Sequence, residues 1–366
     1  MTKYLHISHS FELESGEILP ALTAAYNTYG QLNEARDNVI WICHALTANS
    51  DAEDWWPGLV GEGFTLDPAK YFIICVNILG SSYGSTSPET INPATSQPYR
   101  LDFPLVTTRD NARFFSLVAN YLGISRIRLL MGGSLGGQHA SEWACLEPDR
   151  FDLLCLLATN ARFSPYGIAF NESQRMALRA DMTLGTDAPE AGRKGLEAAR
   201  SMAVLSYRHY RTYDATQQQS NPEDIDDFRA SSYQRYQGFK LWKRFAPTCY
   251  YALTRSMDTH NLGRGRGGTA AALATITAPT LIISIDTDVL FPTEEQSLLS
   301  RYIPNSRLEV MSSDYGHDGF LVETPTIGIL LADFLADQLR IDAGTKRAFT
   351  DGLSGRTFAI PGTEEV

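Results

Sequence analysis

Apolar residues fall into short blocks along this chain, and the blocks alternate between two spacings. "NVIWICHAL" (Asn38–Leu46) and "YFIICVNIL" (Tyr71–Leu79) are continuous and rich in β-branched and aromatic side chains. Runs of this length without a polar face predict strands covered on both sides, as in a parallel sheet. "RDNARFFSLVANYLGI" (Arg109–Ile124) instead repeats its apolar residues at helical spacing, through Phe114, Leu117, Val118, Tyr121 and Leu122, with Gly123 at the stop. "RIRLLM" predicts the next strand, "LGGQHASEWACLEP" a helix closed by Pro148, and "FDLLCLLAT" a further strand. Strands alternating with helices predict an open α/β sheet, mostly parallel and flanked by helices.

The pattern changes over residues 160–275, which read as mostly helical, with much arginine, tyrosine and glutamine and no convincing strand. "APTLIISI" (Ala278–Ile285) and "SRLEVMSS" (Ser306–Ser313) resume the strand pattern, and "TIGILLADFLADQLR" is an amphipathic helix. The expected organisation is a core of residues 1–159 and 276–340, a helical lid over 160–275, and a tail over 341–366 that has lost periodicity.

Composition narrows the function. The 366 residues are 43% hydrophobic and 20% charged, an ordinary globular balance. A net charge of −11 argues against a general nucleic-acid binder, which needs a basic face. The five cysteines show neither a CxxC nor a metal spacing, so buried thiols in a reducing compartment are expected, and no metal. No apolar stretch is long enough to span a bilayer and the first residues lack a signal core, so the expectation is a cytoplasmic protein.

The chemistry centres on "LLMGGSLGGQHASEWA" (Leu129–Ala144). A phosphate loop needs Gly-Lys-Ser/Thr, and this segment has no lysine. A dinucleotide fingerprint needs GxGxxG, and "GGSLGG" contains no GxG. G-x-S-x-G is filled by Gly132, Ser134 and Gly136, between a strand and a helix. That is the context of a nucleophile elbow. A serine hydroxyl needs a base, and the chain order of such sites is serine, acid, histidine. "DTDVLFP" after one strand offers Asp286 and Asp288, which spacing hardly separates, and "DYGHDGF" after the next offers His317. His44 ends a strand but precedes the serine; His6 and His9 lie ahead of the core, His139 is on the serine's own helix, and His209 and His260 fall in the insertion. A turn-forming role suits Asp314. The backbone N–H groups of Leu135 and of Leu46, in "HALTANSD", are the expected oxyanion donors.

With these residues in place, the chain resembles the homoserine O-acetyltransferase family of α/β-hydrolase-fold acyltransferases. "YNTYGQLN", "CHALTANS", "NILGSSYGST", "TTRDNARF", "GGSLGGQHASEWA", "SMDTHNLGRGRG", "TDVLFPTEEQ" and "YGHDGFL" are similar to that family's blocks and stand in the same order. The resemblance implies an α/β-hydrolase fold with a helical lid and a two-step transfer through Ser134, with His317 as base. It selects Asp288 over Asp286 as the acid. It implies acetyl-CoA as co-substrate with no bound cofactor, L-homoserine as acceptor, and a place in methionine biosynthesis. It gives Arg200 and Asp318 as substrate-binding residues, Asp318 for the amino group, and implies a homodimer formed through the lid helices. Two departures from the family pattern stand at Ala246 and Cys249, in "RFAPTCY", and Leu135 replaces a common methionine. A succinyl donor, a serine acceptor, an ester hydrolase and a non-catalytic binding protein remain the alternatives.

Overall fold

The computed structural model describes residues 1–338, so the tail expected over 341–366 lies outside the described residues. Its main sheet holds β1 (Lys3–Ile7), β2 (Leu22–Tyr29), β3 (Val39–Cys43), β4 (Phe72–Val76), β5 (Leu129–Gly133), β6 (Leu154–Leu157), β7 (Thr280–Ile285) and β8 (Ser306–Met311). Across the sheet the order is β1-β2-β4-β3-β5-β6-β7-β8. β2 runs antiparallel to both of its neighbours, and all the other pairs are parallel.

Burial of these strands on both faces follows from their alternation. In β3, Val39, Trp41 and Cys43 enter one apolar cluster, while Ile40 and Ile42 enter the other. In β7, Ile282 joins the first cluster and Leu281, Ile283 and Ile285 join the second. β3 is therefore apolar throughout, and β7 is apolar save for the buried hydroxyls of Thr280 and Ser284, as a two-sided sheet favours. β1 and β2 escape the hydrophobic pattern. β1 is an edge strand in which only Ile7 is buried, and β2 buries small residues such as Ala24 and Ala25. His6, expected ahead of the core, thus lies on the core sheet, with Nδ1 3.0 Å from Thr23 Oγ1.

Helices α1 (Thr108–Tyr121) and α2 (Leu135–Leu146) cover the first face, through Phe114, Phe115 and Val118 and through Ala140, Trp143 and Ala144. A reciprocal capping box of Thr107 and Asp110 starts α1. The insertion between β6 and β7 carries α3 (Pro165–Ala180), α4 (Arg193–Tyr207), α5 (Tyr210–Gln217), α6 (Arg229–Trp242) and α7 (Pro247–Asp258). Beyond β7, α8 (Thr293–Tyr302) joins the first face, and α9 (Thr324–Gln338) covers the second with Ile327, Leu331 and Phe334. All five cysteines are buried. Among the described residues no single helix is long and apolar enough to cross a membrane.

The two ends of the insertion are joined at its stem. Phe163 N–H donates to His260 O, and Leu262 N–H donates to Ala161 O, each at 3.0 Å. Below this stem Glu142, buried on α2, accepts from Arg109 Nε at 2.7 Å and from Arg266 Nη2 at 2.5 Å. Glu14 binds Arg109 and Arg264 in the same network. One charge cluster thus ties the returning segment to α1, α2 and the N-terminal segment.

Candidate active site

Ser134 stands at the turn from β5 into α2, with φ 56° and ψ −126°, a backbone region that L-residues avoid. The turn is possible because nothing projects from the residues on either side. A Cβ on Gly136 would lie 2.1 Å from Cys43 O, and one on Gly132 would lie 2.4 Å from Gly136 carbonyl atoms. The surroundings hold the strained residue fully bonded. Ser134 N–H donates to Leu157 O at 3.0 Å, and its carbonyl accepts from Thr159 Oγ1 at 2.9 Å and from Gln138 N–H at 3.1 Å. The hydroxyl is thereby presented at the carboxyl end of the sheet, at the start of a helix.

His317 lies on a 3₁₀ turn, Gly316–Asp318, after β8. Its Nε2 is 2.8 Å from Ser134 Oγ, and its Nδ1 is 2.6 Å from Asp288 Oδ2. The second oxygen of Asp288 accepts from the N–H groups of Leu290 and Phe291, at 2.8 and 2.9 Å. That carboxylate is fixed on both sides, so it holds the imidazole with a proton on Nδ1 and Nε2 free to accept. Phe291 stacks on the imidazole, with centroids 5.0 Å apart and planes at 25°, and Phe320 and Tyr207 pack at 5.2 and 5.9 Å. All three polar side chains are buried. A serine, a histidine and an aspartate in this relay can carry out acyl transfer.

Three comparisons with known proteins bear on this arrangement. A family model described as the alpha/beta hydrolase fold matches residues 38–324. A homoserine O-acetyltransferase of Cyclobacterium marinum is 46% identical, over 90% of this chain and 93% of its own length. The chain belongs to the homoserine O-acetyltransferase family, within the α/β hydrolases. Among solved structures, the homoserine O-acetyltransferase of Bacillus anthracis is similar with a TM-score of 0.85 and 24% identity, over 92% of this chain and 97% of that one. An acetylester hydrolase of Corynebacterium glutamicum is similar with a TM-score of 0.81 and 24% identity, over 91% and 95%. At that identity the likeness is one of fold, and the fold serves transferases and hydrolases alike.

A cavity of about 60 Å³ opens above the serine, lined by Leu46, Thr47, Arg200, Tyr207 and Asp318 together with Ser134 and His317. Roomier hollows elsewhere, such as the 690 Å³ groove at Pro279, Arg307 and Phe334, bring no nucleophile and base together. The 43–46 loop is pressed against the elbow, because Gly136 meets Cys43 O and would meet His44 O at 3.0 Å. Leu46 and Leu135 are therefore on adjoining segments at the serine.

The remaining residues singled out in the sequence take other places. Asp286 accepts from Ser312 Oγ at 2.8 Å and from Ser313 N–H at 3.2 Å, so it braces the histidine loop. Asp314 lies in the turn and also forms an ion pair with Arg211 at 3.1 Å. His44 is buried, and its Nε2 accepts from Ile78 N–H at 3.1 Å. Burial holds the His44 pKa down at about 4, so the ring stays neutral. His139 is buried edge-on to Phe115. His209 accepts Arg211 N–H at the start of α5, and His260 bridges Thr108 and Asn160 O. His9 lies near Tyr121, far in sequence and fold from the elbow. Ala246 starts α7 and donates its N–H to Ser82 Oγ, while Cys249 is fully buried, so both departures fall in the packing of α7 and neither lines the cavity.

Three neighbours of the site carry no signal in the sequence pattern: Phe291, which stacks on the imidazole; Tyr207, which lines the cavity; and Arg208, whose Nε lies 3.1 Å from Asp318 Oδ2. Phe291 sits within "LFP" beside the acid, which is the one clue available. Among the described residues no group of His, Cys, Asp and Glu is arranged to hold a metal ion.

Proposed function

We propose that the protein transfers an acetyl group from acetyl-CoA to the side-chain hydroxyl of L-homoserine, through an acyl-serine, as a step of methionine biosynthesis in the cytoplasm. The observation that carries this reading is the continuous hydrogen-bonded relay Asp288–His317–Ser134, in a chain 46% identical to a homoserine O-acetyltransferase. In the first half-reaction Ser134 Oγ attacks the thioester carbonyl and gives its proton to His317 Nε2. The N–H groups of Leu46 and Leu135 receive the oxyanion. Collapse breaks the carbon–sulfur bond, and the leaving thiolate takes the proton from the imidazolium. In the second half-reaction the homoserine hydroxyl gives its proton to His317 as it attacks the acyl-serine. Collapse then returns that proton to Ser134 Oγ and releases the O-acetyl product.

Acceptor choice in this reading comes from the two charges in the cavity. Arg200 has no carboxylate partner among the described residues, and its guanidinium lies 5.3 Å from the Tyr207 ring centroid. Among the described residues, Asp318 is the one carboxylate lining the cavity besides the relay. A cation and an anion flanking a nucleophile match a zwitterionic amino acid with a hydroxyl. Transfer also requires that water be kept from the acyl-serine, and the burial of Ser134 and His317 beneath Arg200, Tyr207 and Met257 of the lid supports this. Pairing of two copies through the lid belongs to the same reading, supported by Met176, Leu205 and Tyr236 exposed on α3, α4 and α6.

The test is to incubate the protein with acetyl-CoA or succinyl-CoA and with homoserine or serine, in all pairings, and to identify products by mass. O-Acetylhomoserine is the expected product, and Ser134→Ala lowers kcat by roughly 10⁴-fold or more while the fold is kept. Hydrolysis of acetyl esters at a rate indifferent to homoserine would replace this reading with an ester hydrolase.

A further inference from the structure

Asp318 does not face the cavity as a free anion. Its Oδ2 accepts from Arg208 Nε at 3.1 Å, and neither side chain is more than about a third exposed, at 18% for Asp318 and 30% for Arg208. Arg208 is the residue that ends α4, immediately after Tyr207, whose ring packs on His317. Its guanidinium is held in turn over the ring of Tyr233 on α6, 5.4 Å from the centroid. Nearby contacts fasten the same corner of the lid to the histidine loop. Arg211 pairs with Asp314, Thr212 Oγ1 donates to Asp314 O, and the backbone at His209 lies against Gly316.

Two arginines near the cavity thus have different situations. Arg200 has no carboxylate partner among the described residues, whereas Arg208 is committed to Asp318. A carboxylate has two oxygens, and one of them is already occupied. We propose that Arg208 is a positioning residue for acceptor specificity: by holding one oxygen of Asp318 it fixes that carboxylate so that the other oxygen meets the ammonium group of the acceptor. This rests on the acceptor reading above. Arg208 acts through Asp318 and touches no reacting atom. An acceptor that lacks the amino group makes no use of the arrangement and gains nothing from it.

The experiment measures transfer to L-homoserine and to 4-hydroxybutanoate, which keeps the hydroxyl and the carboxylate and lacks the amino group. Arg208→Ala raises KM for homoserine roughly tenfold, the worth of one misplaced charge-assisted hydrogen bond, without a matching loss for 4-hydroxybutanoate. Arg208→Lys restores part of the selectivity. In an Asp318→Asn background the Arg208 substitution adds little, because the two residues act as one unit. Equal losses for both acceptors, or effects that add fully in the double variant, overturn the proposal. Arg208→Gln, which keeps a side chain over Tyr233, serves if the alanine variant fails to fold, and it is read by the same criteria. Wild-type protein that acetylates no homoserine removes the acceptor reading itself; this shows before any variant is made, so the two failures are distinct.

Discussion

At Glu295, on the first turn of α8, a carboxyl is partly buried, and among the described residues it forms no ion pair. Its Oε2 is out of reach of solvent. Burial, with the charge of Asp288 adding to it and the Asn160 amide opposing, pushes its pKa from the usual 4.5 to about 7. The folded protein then holds a proton that the unfolded chain releases. This contribution to stability is complete below about pH 4.5 and is lost as pH rises through about 7. Glu295→Gln, measured by urea unfolding at several pH values, should therefore gain on the wild type as pH rises, by on the order of 2 kcal/mol, lessened by solvent reaching the carboxyl. Nothing in the sequence marks Glu295, because burial belongs to the folded state. Ser134 and His317 are legible for the opposite reason: each sits where a strand pattern ends, in a fixed chain order. Arg208 is not, since it meets Asp318 across 110 residues of sequence.

The elbow is the element on which the site turns. Gly136→Ala would put a methyl group 2.1 Å from Cys43 O, so α2 must move away from the end of β3. Overpacking of this kind costs about 1–3 kcal/mol or more. The expected result is a lower urea midpoint together with loss of transfer, because the shift also separates Ser134 from the 43–46 loop. A variant as stable and active as the wild type would show that this close approach is not needed. Elements buried on both faces are readable as continuous apolar runs: β3, β4, β6 and β7 fall within predicted strands, β5 runs two residues past its predicted end into Gly132 and Gly133, and α1 begins one residue before its predicted start. β8 was read from a more mixed segment, and it is only partly buried. β1 and β2 are not legible, because exposure on one face and small side chains remove the contrast on which the pattern depends. The helices α3 to α7 of the insertion are legible as helical only in bulk, since apolar residues stand on their outer faces, as at Met176, Leu205 and Tyr236, as well as on the faces that Leu178, Leu196 and Leu253 turn to the core, and this blurs their periodicity.

On the scale of the whole molecule, the lid is anchored by charge as well as by packing. Glu142 is 1% exposed and serves both Arg109 and Arg266. Glu142→Ala leaves two partly buried guanidinium groups short of a partner, and breaking a buried pair in this way costs about 3–5 kcal/mol. Differential scanning calorimetry should show a clear fall in Tm, and a variant that melts with the wild type would remove this network from the account of stability. The stem beside it has a wider implication. Because the chain enters the lid at Ala161–Phe163 and leaves it at His260–Leu262, side by side and between two neighbouring strands of the sheet, the segment between those points can change in length without altering strand order. A longer or shorter lid would thus leave the serine turn in place and change only the side chains that reach it from above, as Arg200 and Tyr207 do here.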